Sequence, residues 1–125
     1  MARSKKIGTL PTSEFTKFGK AMSVIAEKSP HRMSVSQVIF FVEAGRMCLA
    51  GEEPTFTSIK EAIGEEVNRS LKTTYLVFFE PTDAYPTALG WLKRVTNPSD
   101  KRQKIFQLTK KGRVILAAVL EPLEV

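Results

Sequence analysis

The sequence has very few of the side chains that form disulfides and metal sites. Its 125 residues include one cysteine, Cys48, and one histidine, His31. A single cysteine excludes an internal disulfide and is typical of proteins from the reducing cytoplasm. His31 has no second ligand at a spacing that metal sites use, so we expect no metal centre. No apolar run is long enough to cross a bilayer, and we therefore expect a cytoplasmic protein that does not enter membranes.

The sequence also lacks the arrangements on which enzymes depend. Its seven glycines are scattered and form no glycine-rich phosphate loop. The central carboxylates show no spacing that pairs two of them for acid–base chemistry. They are Glu52, Glu53, Glu61, Glu65 and Glu66. We therefore expect no catalytic residues and no cofactor, and we interpret the chain as a binding protein rather than an enzyme.

Positive charge is concentrated at the two ends of the chain, whose net charge is +6. Residues 1–32 carry seven basic and two acidic side chains, residues 33–92 carry four and eight, and residues 93–125 carry eight and three. Clustered cations are typical of a surface that binds a polyanion such as nucleic acid. The alternative is a solvated basic surface that only keeps the protein in solution.

The apolar pattern predicts a string of helices within one domain. We expect this domain to span residues 1–125, with a basic tail over about residues 1–10. Thr12 or Ser13 can cap a first helix, because a side-chain oxygen at that position accepts a hydrogen bond from the first turn. No repeat or internal linker divides the chain.

Two further helix starts follow from capping-box spacing, in which a serine precedes a glutamine or glutamate by three residues. Ser34 and Gln37 predict the start of a second helix, and Ser58 and Glu61 predict the start of a short third helix that Gly64 ends. The apolar stripe of the second helix is predicted to be Val35, Val38, Ile39, Val42 and Leu49.

A short helix, a glycine and a second apolar-periodic segment are the pattern of a helix-turn-helix unit. We predict that this second segment is a helix from about Asn68 to Glu80. Residues near the start of such a recognition helix reach base edges in the major groove. The candidates are Arg69, Ser70, Lys72 and Thr73. Residues 73–79 are rich in β-branched and aromatic side chains, so a buried strand is the alternative.

The most specific pattern lies between Gly90 and Gly112, where two short strands flank a polar turn. Residues 97–100, Asn-Pro-Ser-Asp, are turn chemistry, because proline fixes φ and the other side chains bond nearby backbone. Cations crowd the strands and the tip of this predicted hairpin, which suits contact with a phosphate backbone. They are Lys93, Arg94, Lys101, Arg102 and Lys104.

This segment resembles the wing of MarR-type winged helix-turn-helix transcription regulators. The family pattern is a glycine, an apolar-apolar-x-Arg strand, a proline-containing turn, Asp-x-Arg and Leu-Thr-x-x-Gly. This sequence matches the pattern in order and without a gap, at Gly90, Trp91-Leu92-Lys93-Arg94, Pro98, Asp100-Lys101-Arg102 and Leu108-Thr109-Lys110-Lys111-Gly112. The resemblance implies a mainly helical α+β fold with a small β-hairpin wing. It also implies that Arg102 reaches toward the DNA minor groove and that Asp100 helps to hold it.

Two apolar stripes, one near each end of the chain, are candidates for a dimer interface. A second copy related by a two-fold axis raises DNA affinity and reads a palindrome. The resembled family dimerises through its N-terminal and C-terminal helices, which implies the same here. The candidates are Phe15, Phe18, Met22 and Ile25 in one stripe and Val114, Ile115, Ala118, Val119 and Leu120 in the other. The alternative is that both stripes complete the core of a single chain.

These patterns predict a sequence-specific regulator that binds double-stranded DNA as a homodimer, with the recognition helix in the major groove and the wing on the backbone and minor groove. Two other functions stay open. One is a protein-interaction module that docks a partner through the apolar residues Leu76, Val77 and Phe79. The other is a nonspecific nucleic-acid-binding protein. Related regulators often bind phenolic ligands, but no residue pattern here indicates such an effector site.

Overall fold

The computed structural model describes residues 12–29 and 32–124, which form five α-helices, two β-strands and two 3₁₀ segments. The helices are α1 (Thr12–Lys28), α2 (Val35–Leu49), α3 (Phe56–Ile63), α4 (Glu65–Leu71) and α5 (Lys110–Leu120). The strands are β1 (Leu92–Asn97) and β2 (Asp100–Leu108), and the 3₁₀ segments span Thr74–Phe78 and Glu121–Leu123. The predicted basic tail over residues 1–10 and His31 lie outside the described residues.

Local hydrogen bonds fix the start of α2, as the sequence predicts. The Ser34 hydroxyl accepts a hydrogen bond from the Gln37 N–H at 3.1 Å, and the Gln37 side-chain oxygen accepts one from the Ser34 N–H at 2.8 Å. The predicted capping box is therefore confirmed. The predicted first helix is confirmed over Thr12–Lys28, but Thr12 and Ser13 both lie inside it, so the prediction that one of them is its cap is wrong.

The buried face of α2 is not the one predicted from its apolar pattern. Val35, Val42 and Leu49, which belong to the predicted stripe, are exposed. The residues that α2 buries are Ser36, Phe40, Phe41, Ala44, Gly45 and Met47. The prediction is wrong for Val35, Val42 and Leu49, whereas Val38 is partly buried against the core. Two phenylalanines and a methionine have more apolar surface to bury than the predicted stripe, so their side of the helix faces the core.

α3 begins earlier than predicted. Its N-cap is Thr55, whose hydroxyl accepts a hydrogen bond from the Ser58 N–H at 3.0 Å, while the Ser58 hydroxyl accepts one from the Thr55 N–H at 2.8 Å. The predicted box of Ser58 with Glu61 is wrong, because the Phe106 N–H bonds the Pro54 carbonyl at 2.8 Å and ties the chain to β2 just before Thr55. The predicted helix end at Gly64 is confirmed, and its φ of +88° suits glycine.

The predicted helix from Asn68 to Glu80 is wrong in length and form. α4 ends at Leu71, and a 3₁₀ segment rather than a buried strand follows from Thr74 to Phe78. Threonines have low helix propensity because they are β-branched. The Thr74 hydroxyl also donates to the Leu71 carbonyl at 2.6 Å, which competes with the continuing backbone ladder.

An aromatic cluster at the root of the hairpin joins α2, the 3₁₀ segment and the wing. The Trp91 side chain is fully buried, and its ring centroid lies 4.9 Å from that of Phe41 and 5.7 Å from that of Phe78. Phe79 and Phe106 meet edge to face at 4.9 Å. Aromatic pairs of this kind contribute about 0.5–1.5 kcal/mol each beyond their buried area. The cluster therefore fixes the orientation of the hairpin against the helices.

The hairpin has the geometry of a wing. β1 and β2 pair antiparallel, with Leu92 opposite Leu108 and Thr96 opposite Lys104, and the register shifts after Thr96. In the turn, the Asn97 side-chain oxygen accepts a hydrogen bond from the Ser99 N–H at 2.9 Å, which confirms the predicted turn chemistry. Helices precede and follow this hairpin, so the fold is the mainly helical winged helix-turn-helix that the sequence predicts.

Thr109 and Gly112 join the wing to α5. The Thr109 hydroxyl accepts a hydrogen bond from the Gly112 N–H at 3.0 Å and donates one to the Gly90 carbonyl at 2.7 Å. A Cβ atom at position 112 would overlap the carbonyl oxygen of Trp91. Glycine is therefore required at this position so that α5 can approach the backbone of Trp91, just before β1.

Candidate nucleic-acid interface

The Asn68 side chain closes the helix-turn-helix unit. Its amide nitrogen donates to the carbonyl oxygens of Lys60 and Gly64, each at 2.8 Å. Ile59 of α3 and Leu71 of α4 anchor the two helices in the core. The two helices are thereby held in a fixed relation, and the outer surface of α4 stays free to contact a partner.

The predicted recognition residues all lie on the surface, but they differ in their charge partners. The exposed residues are Arg69, Ser70, Lys72 and Thr73. The Arg69 guanidinium forms ion pairs with Glu66 at 2.7 Å and with Glu65 at 3.5 Å. In the part of the chain that the structure describes, the Lys72 ammonium has no ion pair or side-chain hydrogen bond. Lys72 is therefore the cation of this surface that is free to meet a phosphate or a base.

Lys72 also stands at a sharp kink between α4 and the 3₁₀ segment. Its φ is +50° and its ψ is −120°. Among the described residues, it alone combines a positive φ with a side chain other than glycine. Such a backbone conformation costs about 1–3 kcal/mol and persists only where surrounding contacts hold it. The kink is thus a fixed feature of the surface that carries Lys72 and Thr73.

The tip of the wing carries the exposed cations Lys101 and Arg102. The Asp100 carboxylate accepts a hydrogen bond from the backbone N–H of Arg102 at 3.1 Å and lies 3.6 Å from its Nε atom. The Arg102 side chain is nevertheless 94% exposed. An ion pair this exposed contributes about 0–1 kcal/mol, so Asp100 orients Arg102 without withdrawing it from solvent.

Arg94 and Lys104 lie on the side of the wing that borders the 3₁₀ segment. Both line a hollow of about 310 Å³ together with Phe79 and Glu80. The Arg94 guanidinium stands 4.9 Å from the centroid of the Phe79 ring, which is a cation–π contact. The Lys104 ammonium donates to the Thr96 hydroxyl at 3.0 Å. These contacts hold two cations beside the end of the 3₁₀ segment.

Lys93 lies on the opposite face of the hairpin, because side chains alternate along a strand. It lines a separate hollow of about 430 Å³ whose other charged residues are Glu52, Glu53 and Arg113. The structure therefore separates Lys93 from Arg94 and Lys104 and places two carboxylates near it.

The apolar surface predicted on Leu76, Val77 and Phe79 is not present. Phe79 is 1% exposed, and Leu76 and Val77 are half-buried and packed against the core. These side chains fill the space under the wing because the 3₁₀ segment turns them toward the aromatic cluster. The predicted protein-docking surface is therefore wrong.

The predicted dimerisation residues divide into core and surface. Those buried in the core of the chain itself are Ile25, Ile115 and Val119, and Met22 is half-buried against it. Phe15 and Phe18 are exposed by 62% and 60%, and Val114 and Leu120 of α5 are exposed as well. α1 packs against α5 and the segment that follows it. Within the described residues, two neighbouring helices thus carry apolar side chains that nothing covers.

Three residues that shape this surface escape prediction from the sequence. Asn68 ties α4 back to α3, and Phe79 supports Arg94. The Gln37 side chain, predicted only as part of a cap, also donates to the Thr74 carbonyl at 3.1 Å. Each of these contacts joins separate elements, and spacing along the chain carries no signal for them.

Comparison with known proteins finds a structural similarity but no sequence match. No protein-family model matches the chain, and no curated protein matches it. A solved structure described as the transcriptional repressor CouR bound to a 23-mer DNA duplex is similar to this chain. The two share 19% sequence identity with a TM-score of 0.47, over 90% of this chain and 68% of the other. The assignment of the fold therefore rests on the helices and hairpin of this chain itself.

The remaining reactive groups do not form a second site. Cys48 is half-buried, and its thiol lies 3.6 Å from the Phe106 carbonyl oxygen. Burial raises the pKa of this thiol and so disfavours the reactive thiolate. Within residues 12–29 and 32–124, no cluster of histidine, cysteine and acidic side chains could hold a metal ion. No helix in these ranges is long and apolar enough to cross a bilayer.

Proposed function

We propose that this protein is a transcription regulator that binds double-stranded DNA sequence-specifically as a homodimer. The observation that carries the proposal is the placement, at the two ends of the 3₁₀ segment, of cations that form no ion pair within the described residues. Lys72 precedes this segment, while Arg94 and Lys104 border its other end. Five residues of 3₁₀ helix span about 10 Å. This length is close to the width of the DNA major groove, which is about 12 Å.

The recognition residues of this proposal are Arg69, Ser70, Lys72 and Thr73. Lysine and arginine suit the guanine O6 and N7 atoms, and threonine can contact a thymine methyl group. Lys72 contributes most, because the charge of Arg69 is shared with Glu65 and Glu66.

The wing supplies affinity in this proposal. Arg102 enters the minor groove with Asp100 orienting it, while Lys101, Arg94 and Lys104 contact phosphates. Phosphate contacts give binding strength and register, and base contacts give the sequence preference. Lys93 contacts only backbone, since it lies on the other face of the hairpin beside two carboxylates.

The homodimer forms through α1 and α5. Phe15 and Phe18 are its anchors, with Val114 and Leu120 beside them, because these apolar side chains are exposed in the single chain. Buried or half-buried residues of the two helices support the interface by fixing α1 and α5 against the core. They are Ile25, Ile115, Val119 and Met22. A two-fold arrangement doubles the number of cations that meet the DNA and pairs two half-sites.

A nonspecific nucleic-acid-binding protein is the second candidate. The ion pairs of Arg69 with Glu65 and Glu66 favour it, because they leave the wing as the dominant positive surface. Wing contacts alone give an affinity that depends on salt and not on sequence.

Fluorescence anisotropy distinguishes the two functions. A labelled duplex from the region upstream of the gene and a labelled random duplex are titrated with protein, with unlabelled random DNA as competitor. If the upstream duplex stays bound in the presence of competitor, the protein is a specific regulator. If the competitor displaces both labelled duplexes equally, the protein is a nonspecific binder. If neither duplex binds at low salt, both functions are contradicted.

A further inference from the structure

Three backbone carbonyl groups at the kink after α4 accept hydrogen bonds from side chains. The Leu71 carbonyl accepts from the Thr74 hydroxyl at 2.6 Å, and the Thr74 carbonyl accepts from the Gln37 amide at 3.1 Å. The Tyr85 hydroxyl faces the Thr73 carbonyl at the longer distance of 3.5 Å. Carbonyl groups that leave a helical ladder need such partners. The break is therefore a built structure and not a frayed helix end.

Gln37 connects this kink to α2. Its side-chain oxygen completes the cap of α2, and its amide nitrogen reaches the Thr74 carbonyl. One turn further along α2, Phe40 and Phe41 are buried in the aromatic cluster. The Gln37 side chain thus links α2, which is anchored in the core, to the backbone next to Lys72 and Thr73.

The conformation of Lys72 requires such support. Glycine adopts a positive φ without steric cost, whereas a lysine at this position is strained. A strained backbone conformation persists only when contacts with the surrounding structure hold it. The hydrogen bonds of Gln37 and Tyr85 meet the backbone within two residues of Lys72 and supply this constraint.

We propose that Gln37, with Tyr85 beside it, is a positioning residue for DNA recognition. The two side chains hold the kink and thereby direct the Lys72 ammonium to its contact in the major groove. This inference rests on the proposed function, and it adds two residues that do not themselves touch DNA. It predicts that Gln37 influences sequence preference only through Lys72.

A double-mutant cycle tests the inference, since coupling between two changes measures whether one acts through the other. The probes are the duplex that the wild-type protein selects from a random-sequence library and a random duplex of equal length. Gln37→Glu keeps the acceptor of the capping box and removes the donor to Thr74. Val35→Glu adds the same charge at an exposed position nearby and serves as the control. Tyr85→Phe removes only the hydroxyl group.

We expect Lys72→Ala to reduce the ratio of the two affinities about tenfold, the size of one lost base contact. Gln37→Glu and Tyr85→Phe reduce the ratio about threefold or more in the wild-type background and leave it unchanged in the Lys72→Ala background. Val35→Glu weakens both duplexes alike. Additive effects, or no effect of Gln37→Glu on the ratio, would overturn the positioning role. A wild-type protein that prefers no duplex would overturn the proposed function and this inference together.

Thermal unfolding tests the kink without any DNA. Lys72→Gly and Lys72→Ala remove the same charge, but only glycine relieves the strain of a positive φ. We expect the glycine variant to unfold at the higher temperature. The reverse order would indicate a continuous helix, in which alanine is the better residue, and would contradict the inference.

Discussion

Alanine at Gly112 is expected to destabilise the protein, although alanine is the better helix former. Gly112 lies in the first turn of α5, and a Cβ atom there overlaps the carbonyl oxygen of Trp91. That carbonyl accepts the Thr109 N–H at 3.1 Å, so it cannot turn aside without breaking the junction between wing and helix. The obstacle is backbone, which is harder to displace than a side chain.

The expected magnitude follows from two opposing terms. Overpacking costs about 1–3 kcal/mol, and a rigid obstacle places this site at the upper end. Helix propensity returns about 1 kcal/mol when glycine becomes alanine. The net loss of unfolding free energy for Gly112→Ala is therefore about 2 kcal/mol. For a domain of this size, it corresponds to a fall in the unfolding temperature of about 6–10 °C.

Two matched variants make the comparison decisive. At Gly45 an added Cβ meets the methyl groups of the Leu116 side chain, which can rotate away, so Gly45→Ala is expected to change stability little. At Gly19 an added Cβ meets, within 4 Å, no described atom beyond its chain neighbours and the backbone of its own helix, so Gly19→Ala is expected to gain about 1 kcal/mol. Circular dichroism melting at one protein concentration measures all three. A Gly112→Ala variant as stable as Gly19→Ala would refute the described contact between α5 and the wing.

Three further predictions concern the surface and the thiol. In anisotropy titrations, Arg102→Ala weakens selected and random duplexes alike, whereas Arg69→Ala has a smaller effect because its charge is already paired; a larger loss for Arg69→Ala would contradict the assigned roles. Serine at both Phe15 and Phe18 should convert a dimer to a monomer in sedimentation equilibrium, and an unchanged mass would exclude α1 as the interface. Because burial raises the pKa of Cys48, iodoacetamide should alkylate the folded protein more slowly than the urea-unfolded chain in mildly alkaline buffer. As the pH rises, the thiol of the unfolded chain loses its proton before the thiol of the folded protein. The free energy of unfolding should therefore fall between the unfolded and the folded pKa of Cys48, and Cys48→Ala should remove this fall.

Much of the fold is predictable from short-range patterns. The cap of α2, the helix end at Gly64 and the turn after Asn97 all depend on residues within four positions of one another, and the structure confirms them. Such hydrogen bonds are fixed by local geometry, so the sequence alone identifies them.

The features that failed prediction depend on competition between distant elements. Val35 and Val42 have the spacing of a buried stripe, but Phe40 and Phe41 have more apolar surface to bury, so the helix faces the other way. The kink at Lys72 depends in part on Gln37, which lies far away in sequence. No periodicity encodes a side chain of one helix that bonds the backbone of another.

The candidate site was predictable at the level of charge but not of arrangement. The wing cations stand out as a cluster between residues 93 and 104. Their division between two faces, with Lys93 beside Glu52 and Arg94 over Phe79, follows from strand register and from the packing of the 3₁₀ segment. Strand register and the packing of the 3₁₀ segment are properties of the tertiary structure, which charge clustering in the sequence does not reveal.

The salt dependence of DNA binding tests the central claim most directly. Each phosphate contact contributes about −0.9 to the slope of log affinity against log salt. The phosphate contacts proposed for one protomer are those of Lys93, Arg94, Lys101 and Lys104. They predict a slope of up to about −3.6 for one protomer and about −7.2 for a dimer. Alanine at both Lys101 and Lys104 should reduce the magnitude by about 1.8 per protomer. A slope that this double change leaves unaltered would contradict the role of the wing in binding DNA.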